Sequence, residues 1–250
     1  MIQSLVRAME LLEVLNGSKS GYSIAFLSAQ LDLPPSTIHR LLQTLCATKF
    51  VVKDEKSHDY KLGPALIPLG ITARKNLHLQ NAATPILERL VTVTKEDSYL
   101  VISTGFKGFV LEHIDGPSPL KVLEDFGFEL DLHCGAIRKT LLAYQPPEFI
   151  HEYVESVVKS ANAFPKVEPG VLLENLEKIR KEGVAVSHGD YISNSVGIGA
   201  PVFNSDGKII ASIGIITPAS KIPDEKKLGE LKQVVKSSAR ELSEMMGYFE

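Results

Sequence analysis

Two cysteines, Cys46 and Cys134, are all that the 250 residues contain. A pair so sparse and so distant supplies neither a disulfide framework nor the ligand spacing of a metal centre, and it fits a reducing cytoplasm. Long apolar runs are missing too. A membrane span needs roughly 18 consecutive apolar residues; the longest candidate, Ile209 to Ile216, suits a buried strand. No membrane partner is expected. Met1-Ile-Gln-Ser4 shows no basic stretch leading into an apolar core, so no secretory signal is expected either. Nor does one sign of charge dominate: the net charge of −3 argues, weakly, against a nucleic-acid partner. What is present is ordinary for a globular chain, 44% hydrophobic and 23% charged. The length suits two domains, the smaller of under about a hundred residues.

The distribution of charge says more than its total. Residues 1–80 hold nine Lys/Arg against six Asp/Glu, and the remainder 18 against 24. A basic amino-terminal part on an acidic body is the asymmetry expected if only the first part meets phosphate.

The spacing predicts three helices in that basic part. Ser4 is placed to cap the first, whose Leu5, Ala8, Leu12 and Leu15 recur at helical spacing until Asn16-Gly17 stops it. Ser23 caps a second, Ile24 to Leu31, and Asp32-Leu33-Pro34 breaks it. Pro35 suits the first turn of a third, where its missing N–H costs nothing. In this third helix Ile38, Leu41, Leu42 and Leu45 form the inward stripe. Ser36, Thr37, His39, Arg40, Gln43 and Thr44 fall outside it, and alone they could be any solvated surface. A wing changes the balance. Phe50 to Lys53 and Tyr60 to Gly63 flank a polar hairpin, Asp54 to Asp59, with Lys53, Lys56, His58 and Lys61 available to a nucleic-acid backbone. Three helices plus a wing form a winged helix-turn-helix, which pushes one helix into the major groove of double-stranded DNA. Short hydroxyls and free N–H groups at a helix start suit phosphate, and Arg40 can reach a guanine edge or a second phosphate.

Downstream, Pro64 to Gln80 suits a linker helix, and Asn81 to Thr94 a further helix with Pro85 near its start and Ile86, Leu87, Leu90 and Val91 inward. Strands are expected at Tyr99 to Ser103, Gly108 to Glu112, Leu120 to Leu123, Phe128 to Leu132, Val184 to Val186, Val196 to Phe203 and Lys208 to Ile216, the last pair turning on Asn204-Ser-Asp-Gly207. Helices are expected at Cys134 to Ala143, Glu168 to Glu182 and Pro223 to Gly247. Hairpins with helices around them give an α+β fold.

Gln3-Ser-Leu-Val-Arg-Ala8, Leu33-Pro-Pro-Ser-Thr-Ile-His-Arg-Leu-Leu42 and Tyr60-Lys-Leu-Gly63 resemble the IclR family of bacterial transcriptional regulators, as do Leu130-Asp-Leu-His133, Lys139-Thr-Leu-Leu-Ala143 and Gly199-Ala-Pro-Val-Phe203. The resemblance runs in order over nearly the whole chain. It implies a winged helix-turn-helix over 1–63, a linker helix over 64–80, and over 81–250 a GAF-like antiparallel sheet flanked by helices that binds an effector and oligomerises. One departure is Lys49, where the family usually has Gly; a left-handed Lys there costs on the order of 1 kcal/mol.

The expected function is that of a cytoplasmic, sequence-specific DNA-binding regulator, read as a repressor, controlled by a small-molecule effector. Arg40, Ser36, Thr37, His39 and Thr44 are expected at the major groove, with Gln3, Ser4, Arg7, Lys53 and Lys61 at the backbone. One small domain makes few phosphate contacts, so a homodimer or tetramer on a palindromic operator is expected. Position by position, the resemblance places Leu130, Cys134, Gly135, Ala136, His188, Asp190, Gly197, Gly214 and Ile216 in or near the effector pocket. Glycines leave room and few hydroxyls remain, so a larger, partly apolar organic acid is expected, with His133, His188, Asp190 or Arg138 as polar handle. Lys139 beside Arg138 is read as a structural or interface residue.

Catalysis is not expected. Cys134 beside His133 suggests a thiol nucleophile, but adjacent strand residues point to opposite faces and no oxyanion-hole motif accompanies them. His78, His113 and His151 lack metal spacing, and Gly105 to Gly108 and Gly197 to Gly199 open no helix as a dinucleotide site requires, so neither metal nor cofactor is expected. Two rival readings are a small-molecule-binding protein whose winged helix serves protein contacts, and an enzyme built on the carboxy-terminal domain.

Overall fold

The computed structural model describes residues 2–18, 20–75, 78–117, 129–161, 163–190 and 192–249. They fall into two compact units, residues 1–76 and 77–250.

The first unit is built from α1 (Gln3–Asn16), α2 (Ile24–Leu31), α3 (Pro35–Ala47), the ribbon β1 (Val51–Lys53) and β2 (Tyr60–Leu62), and α4 (Leu66–Lys75). Ser23 caps α2 by accepting the Phe26 N–H at 3.3 Å. Asp32 then turns left-handed (φ 50°), and Ser28 ties the turn by donating its hydroxyl to the Leu33 carbonyl at 2.5 Å. Ile38, Leu42 and Leu45 bury α3 against Leu11 and Leu15 of α1 and Leu27 of α2. At its end Lys49 is left-handed (φ 60°), and the Phe50 N–H reaches back to the Leu45 carbonyl at 2.9 Å. This is the glycine-type helix stop made by a lysine. The Lys49 carbonyl accepts the Ala65 N–H at 3.1 Å, and Gly63 donates to the Phe50 carbonyl at 2.7 Å.

Two expectations fail in α1. The helix starts one residue before Ser4, with Ile2 in the cap position and no side-chain cap. Leu5 is 54% exposed; the stripe that goes inside is Leu11 and Leu15, with Ala8 and Leu12 half-buried.

The second unit holds α5 (His78–Thr94), β3 (Asp97–Thr104), β4 (Lys107–Ile114), β5 (Glu129–Asp131), α6 (Gly135–Ala143), α7 (Pro147–Tyr153), α8 (Pro169–Glu182), β6 (Ala185–His188), β7 (Ser195–Phe203), β8 (Ile209–Pro218) and α9 (Glu225–Met245). The strands form one antiparallel sheet in the order β5-β4-β3-β8-β7-β6. Alternation along β3 shows how it is used: Leu100 joins a core with α5 and α9 on one face, while Tyr99 and Val101 join a core with α6, α7 and α8 on the other. The β7–β8 hairpin turns at Asn204, whose carboxamide oxygen accepts the Asp206 and Lys208 N–H groups, and Gly207 takes φ 71°.

The strand expected at Leu120 to Leu123, and Phe128 of the next, lie outside the described residues. Helix α5 begins at His78, so Pro85 sits in its interior and not near its start. Gln80, placed by sequence at the end of a linker, is buried and donates to Glu112 at 2.5 Å. Sequence spacing gave no sign of α7 or of the π-helical turn Val154–Val158 that continues it.

Candidate functional site

Two sites are built by these elements, one in each unit. In the first, the buried stripe of α3 turns Ser36, His39, Arg40, Gln43 and Thr44 fully outward, while Thr37 is half-buried. Thr44 donates its hydroxyl to the Arg40 carbonyl at 3.1 Å, which fixes the hydroxyl and leaves the guanidinium projecting. Pro35 opens the helix, and the first-turn N–H groups of any helix lack intrahelical partners, so the exposed hydroxyl of Ser36 stands at a positive dipole end.

The wing is shaped by Asp54. Its carboxylate accepts the Lys56 and Ser57 N–H groups at 2.9 and 3.1 Å, which holds its pKa below the usual carboxylate value. Lys61 lies 3.7 Å from the same carboxylate and is half-buried, and exposed Lys53 sits 5.7 Å over the Tyr60 ring. Gln3 and Ser4 are exposed at the start of α1, and Arg7 is half-buried.

In the second unit, α6 lies directly on the sheet. Sheet glycines make that approach possible: a Cβ on Gly199 would stand 2.6 Å from the Ile137 Cα, and one on Gly214 would stand 2.7 Å from Ile137 Cγ1. Ser212 secures the contact by donating to the Ile137 carbonyl at 2.7 Å. At the N-terminus of α6 the Ala136 N–H donates to Ser187 Oγ at 3.0 Å, and a Cβ on Gly197 would stand 2.7 Å from that same oxygen. The space the glycines leave is therefore filled by a helix and a serine. As the residues stand, Gly199 and Gly214 make room for α6 and Gly197 for Ser187.

What remains there is a cavity of about 20 Å³, room for about one water. Six of the nine residues assigned by resemblance line it: Cys134, Gly135, Ala136, Asp190, Gly197 and Ile216. Gly214 is covered by Ile137, Leu130 is half-buried in β5, and His188 is exposed at the end of β6; these three do not line it. Ile137, Ser187, Ile192 and Ser195 line it and were missed. Ser187 and Ser195 fall one residue outside the strands expected from sequence, which the structure extends to include them, and nothing in the sequence says which strands flank the helix end.

The polar handles sort themselves by their partners. His133 is 2% exposed, with Nδ1 2.6 Å from the Tyr153 hydroxyl and Nε2 2.9 Å from the Pro165 carbonyl. A carbonyl can only accept, so Nε2 carries the proton and Nδ1 accepts from Tyr153. Burial lowers the His133 pKa and raises that of Tyr153, so both stay neutral. With both ring nitrogens committed, His133 is not a ligand handle, and neither is exposed His188. Arg138 lines the cavity and donates from Nε to the Gly108 carbonyl at 3.1 Å. Asp190 also lines it and pairs with Lys139, Nζ to Oδ2 2.5 Å.

His133 and Cys134 are not on a strand, as was expected, but in the turn before α6. From there both reach one segment: Cys134 donates to the Phe164 carbonyl at 3.1 Å, beside the Pro165 carbonyl held by His133. Burial pushes the Cys134 thiol up to about 12, far from a nucleophile's range. Among the described residues no cluster of three His, Cys, Asp or Glu could hold a metal, and no helix is long and apolar enough to cross a membrane.

Comparison with known proteins agrees with both halves. The family description "IclR helix-turn-helix domain" matches residues 4–55, and "Bacterial transcriptional regulator IclR C-terminal" matches residues 71–244. The HTH-type transcriptional regulator BhcR of Paracoccus denitrificans (strain Pd 1222) is 28% identical over 243 residues, 97% of this chain and 86% of that protein. The HTH-type transcriptional repressor AllR of Salmonella typhi is 26% identical over 246 residues, 98% of this chain and 90% of that protein. The crystal structure of the Thermotoga maritima IclR superposes with a TM-score of 0.70 at 26% identity, covering 99% of this chain and all of that one.

Proposed function

The chain belongs to the IclR family of bacterial transcriptional regulators, and we propose that it acts in the cytoplasm as a repressor whose two-fold-paired α3 helices read a palindromic operator. The outward set Ser36, His39, Arg40, Gln43 and Thr44, opposite the buried Ile38, Leu42 and Leu45, is the observation that carries this reading. Arg40 takes a guanine edge, Ser36, Thr37, His39 and Thr44 complete the groove contact, and Gln3, Ser4, Arg7, Lys53 and Lys61 take phosphates. Pairing of copies supplies the phosphate contacts that one small domain lacks.

The effector is a compact organic acid held at the first turn of α6, where the helix dipole favours negative charge. A cavity of about 20 Å³ does not admit it as the residues stand, so binding displaces the segment bearing Asp190 and Ile192. Binding then favours one placement of the two readers over another. Duplexes selected by the protein from a random pool provide the test. Arg40→Ala is expected to weaken binding to the selected duplex by about 5- to 150-fold, with an unchanged melting temperature. Unchanged affinity would remove Arg40 from the groove. For the effector, a panel of two- to four-carbon carboxylates is expected to raise the melting temperature and alter duplex affinity; larger apolar acids acting alone would contradict the compact-acid reading.

A further inference from the structure

A cavity of about 640 Å³ in the second unit lies outside the effector site, at the opposite end of α6. It exists because β6 pairs only with Val196 to Gly199, while β7 runs on to Phe203 beside β8. That open half of the edge is shut to another strand. The Gly189 N–H bonds to the Ser195 carbonyl, so odd-numbered β7 residues turn their backbone groups toward β6. Beyond β6 these are Pro201, which has no N–H, and Phe203, whose N–H donates to Ser243 Oγ at 3.0 Å. No backbone donor is therefore left along that edge, and the side chains define what the trough holds.

They are of two kinds. Tyr144 meets Phe203 edge-on at 5.1 Å, and Phe203 meets Tyr248 at 5.1 Å, giving a continuous wall of three rings. Around them stand cations. Arg180 donates to the Ala143 and Gln145 carbonyls, and Lys236 to the Glu182 carbonyl at 2.7 Å, so neither charge is offset by a bonded carboxylate among the described residues. Lys181 and Arg240 add to them; of the two acids, Glu244 is taken by Arg240 and Glu182 by Lys232. This net-positive trough sits on a body whose residues 81–250 carry 18 basic against 24 acidic groups, and a cleft of one sign concentrates the opposite charge.

We propose that the trough is a second ligand site, for a small aromatic carboxylate whose ring lies on the Tyr144–Phe203–Tyr248 wall and whose carboxylate meets Lys236 and Arg180. Its volume falls in the range of about 300–1,000 Å³ usual for small-molecule sites. Ring contact and charge-assisted hydrogen bonds supply the two halves of recognition.

The chain has no tryptophan, so Tyr248→Trp places a single reporter in the wall. Titration with phenylacetate is expected to give a saturable change in emission. Acetate and benzyl alcohol, each carrying one half of the ligand, are expected to bind at least about tenfold more weakly, and adding Lys236→Met to weaken phenylacetate about tenfold. Equilibrium dialysis of phenylacetate against the unaltered chain and Lys236→Met gives the same comparison without the reporter. No saturable binding up to about 20 mM, equal binding of benzyl alcohol, or indifference to Lys236→Met would each overturn the site.

Discussion

Lys139 on α6 and Asp190 beside β6 form an ion pair of 2.5 Å with side chains only 13% and 23% exposed. Asp190 lines the cavity at the first turn of α6, so the pair fastens that side of the cavity to the helix beneath it. Removing one partner strands a poorly solvated charge, whereas removing both does not. Asp190→Asn is therefore expected to lower stability by about 1–2 kcal/mol, the partial exposure keeping the cost below that of a fully buried pair. The Lys139→Met, Asp190→Leu double variant is expected to recover most of it. Denaturant unfolding of the wild type, the Lys139→Met and Asp190→Leu single variants and the double variant gives the coupling; additive losses would show that the pair is not a fastener.

The His133 clasp predicts a pH dependence with a definite sign. Burial lowers its folded pKa below the ordinary 6.5, so between the two values the unfolded chain binds the proton and the folded chain does not. Stability from this group is complete above about pH 6.5 and is lost as pH falls toward the folded value. Unfolding free energy measured from pH 5 to 7 is expected to rise with pH in the wild type and to lose that share of the slope in His133→Phe. Identical slopes would mean that the ring titrates alike in both states.

Two glycines offer opposite outcomes from the same substitution. Gly199→Ala drives a methyl to 2.6 Å from the Ile137 backbone, and α6 must lift. A loss of about 2–3 kcal/mol is expected. Gly229 lies in α9 with open space where a Cβ would go, so Gly229→Ala is expected to gain about 0.5–1 kcal/mol. Calorimetric melting of both variants checks the pair, and a neutral Gly199→Ala would show that α6 is not seated on the sheet.

The thiols should react in sequence. Cys134 is fully buried with its thiol pushed up to about 12, whereas Cys46 is half-buried. At about pH 8, iodoacetamide is expected to label one thiol in the native chain and both in denaturant. Rapid native labelling of Cys134 would mean that its segment opens freely.

Lys49→Gly is expected to stabilise the first unit by about 1 kcal/mol, because φ 60° is strained for a side chain and free for glycine. Thermal melting of the two proteins checks it.

The outward face of α3 was legible because helix punctuation is local: Asp32, Pro34 and Pro35 break and restart the chain, and the Ile38, Leu42, Leu45 stripe then fixes which side is out. In α1 the stripes starting at Leu5 and at Leu11 overlap at Leu12 and Leu15, and only the packed partners choose between them. Among the described residues, the strands of the second unit were legible from alternation and from the Asn204 turn. The cavity at the start of α6 was legible as a neighbourhood but not as a shape. A glycine announces that something comes close; whether it is a ligand or, as at Gly199, a helix backbone is decided by Ile137, 62 positions away. His133 and Cys134 misled because they were assigned to a strand, and a turn sends both side chains to one segment.

The Lys49 carbonyl bonded to Ala65, with Phe50 bonded to Gly63, joins the end of α3 to the entry of α4 by main chain alone. Backbone bonds of this kind have no rotamers to absorb motion. The last turn of α3, which follows Arg40, and the first turn of α4 are thus tied to one another by peptide groups, whatever their side chains do.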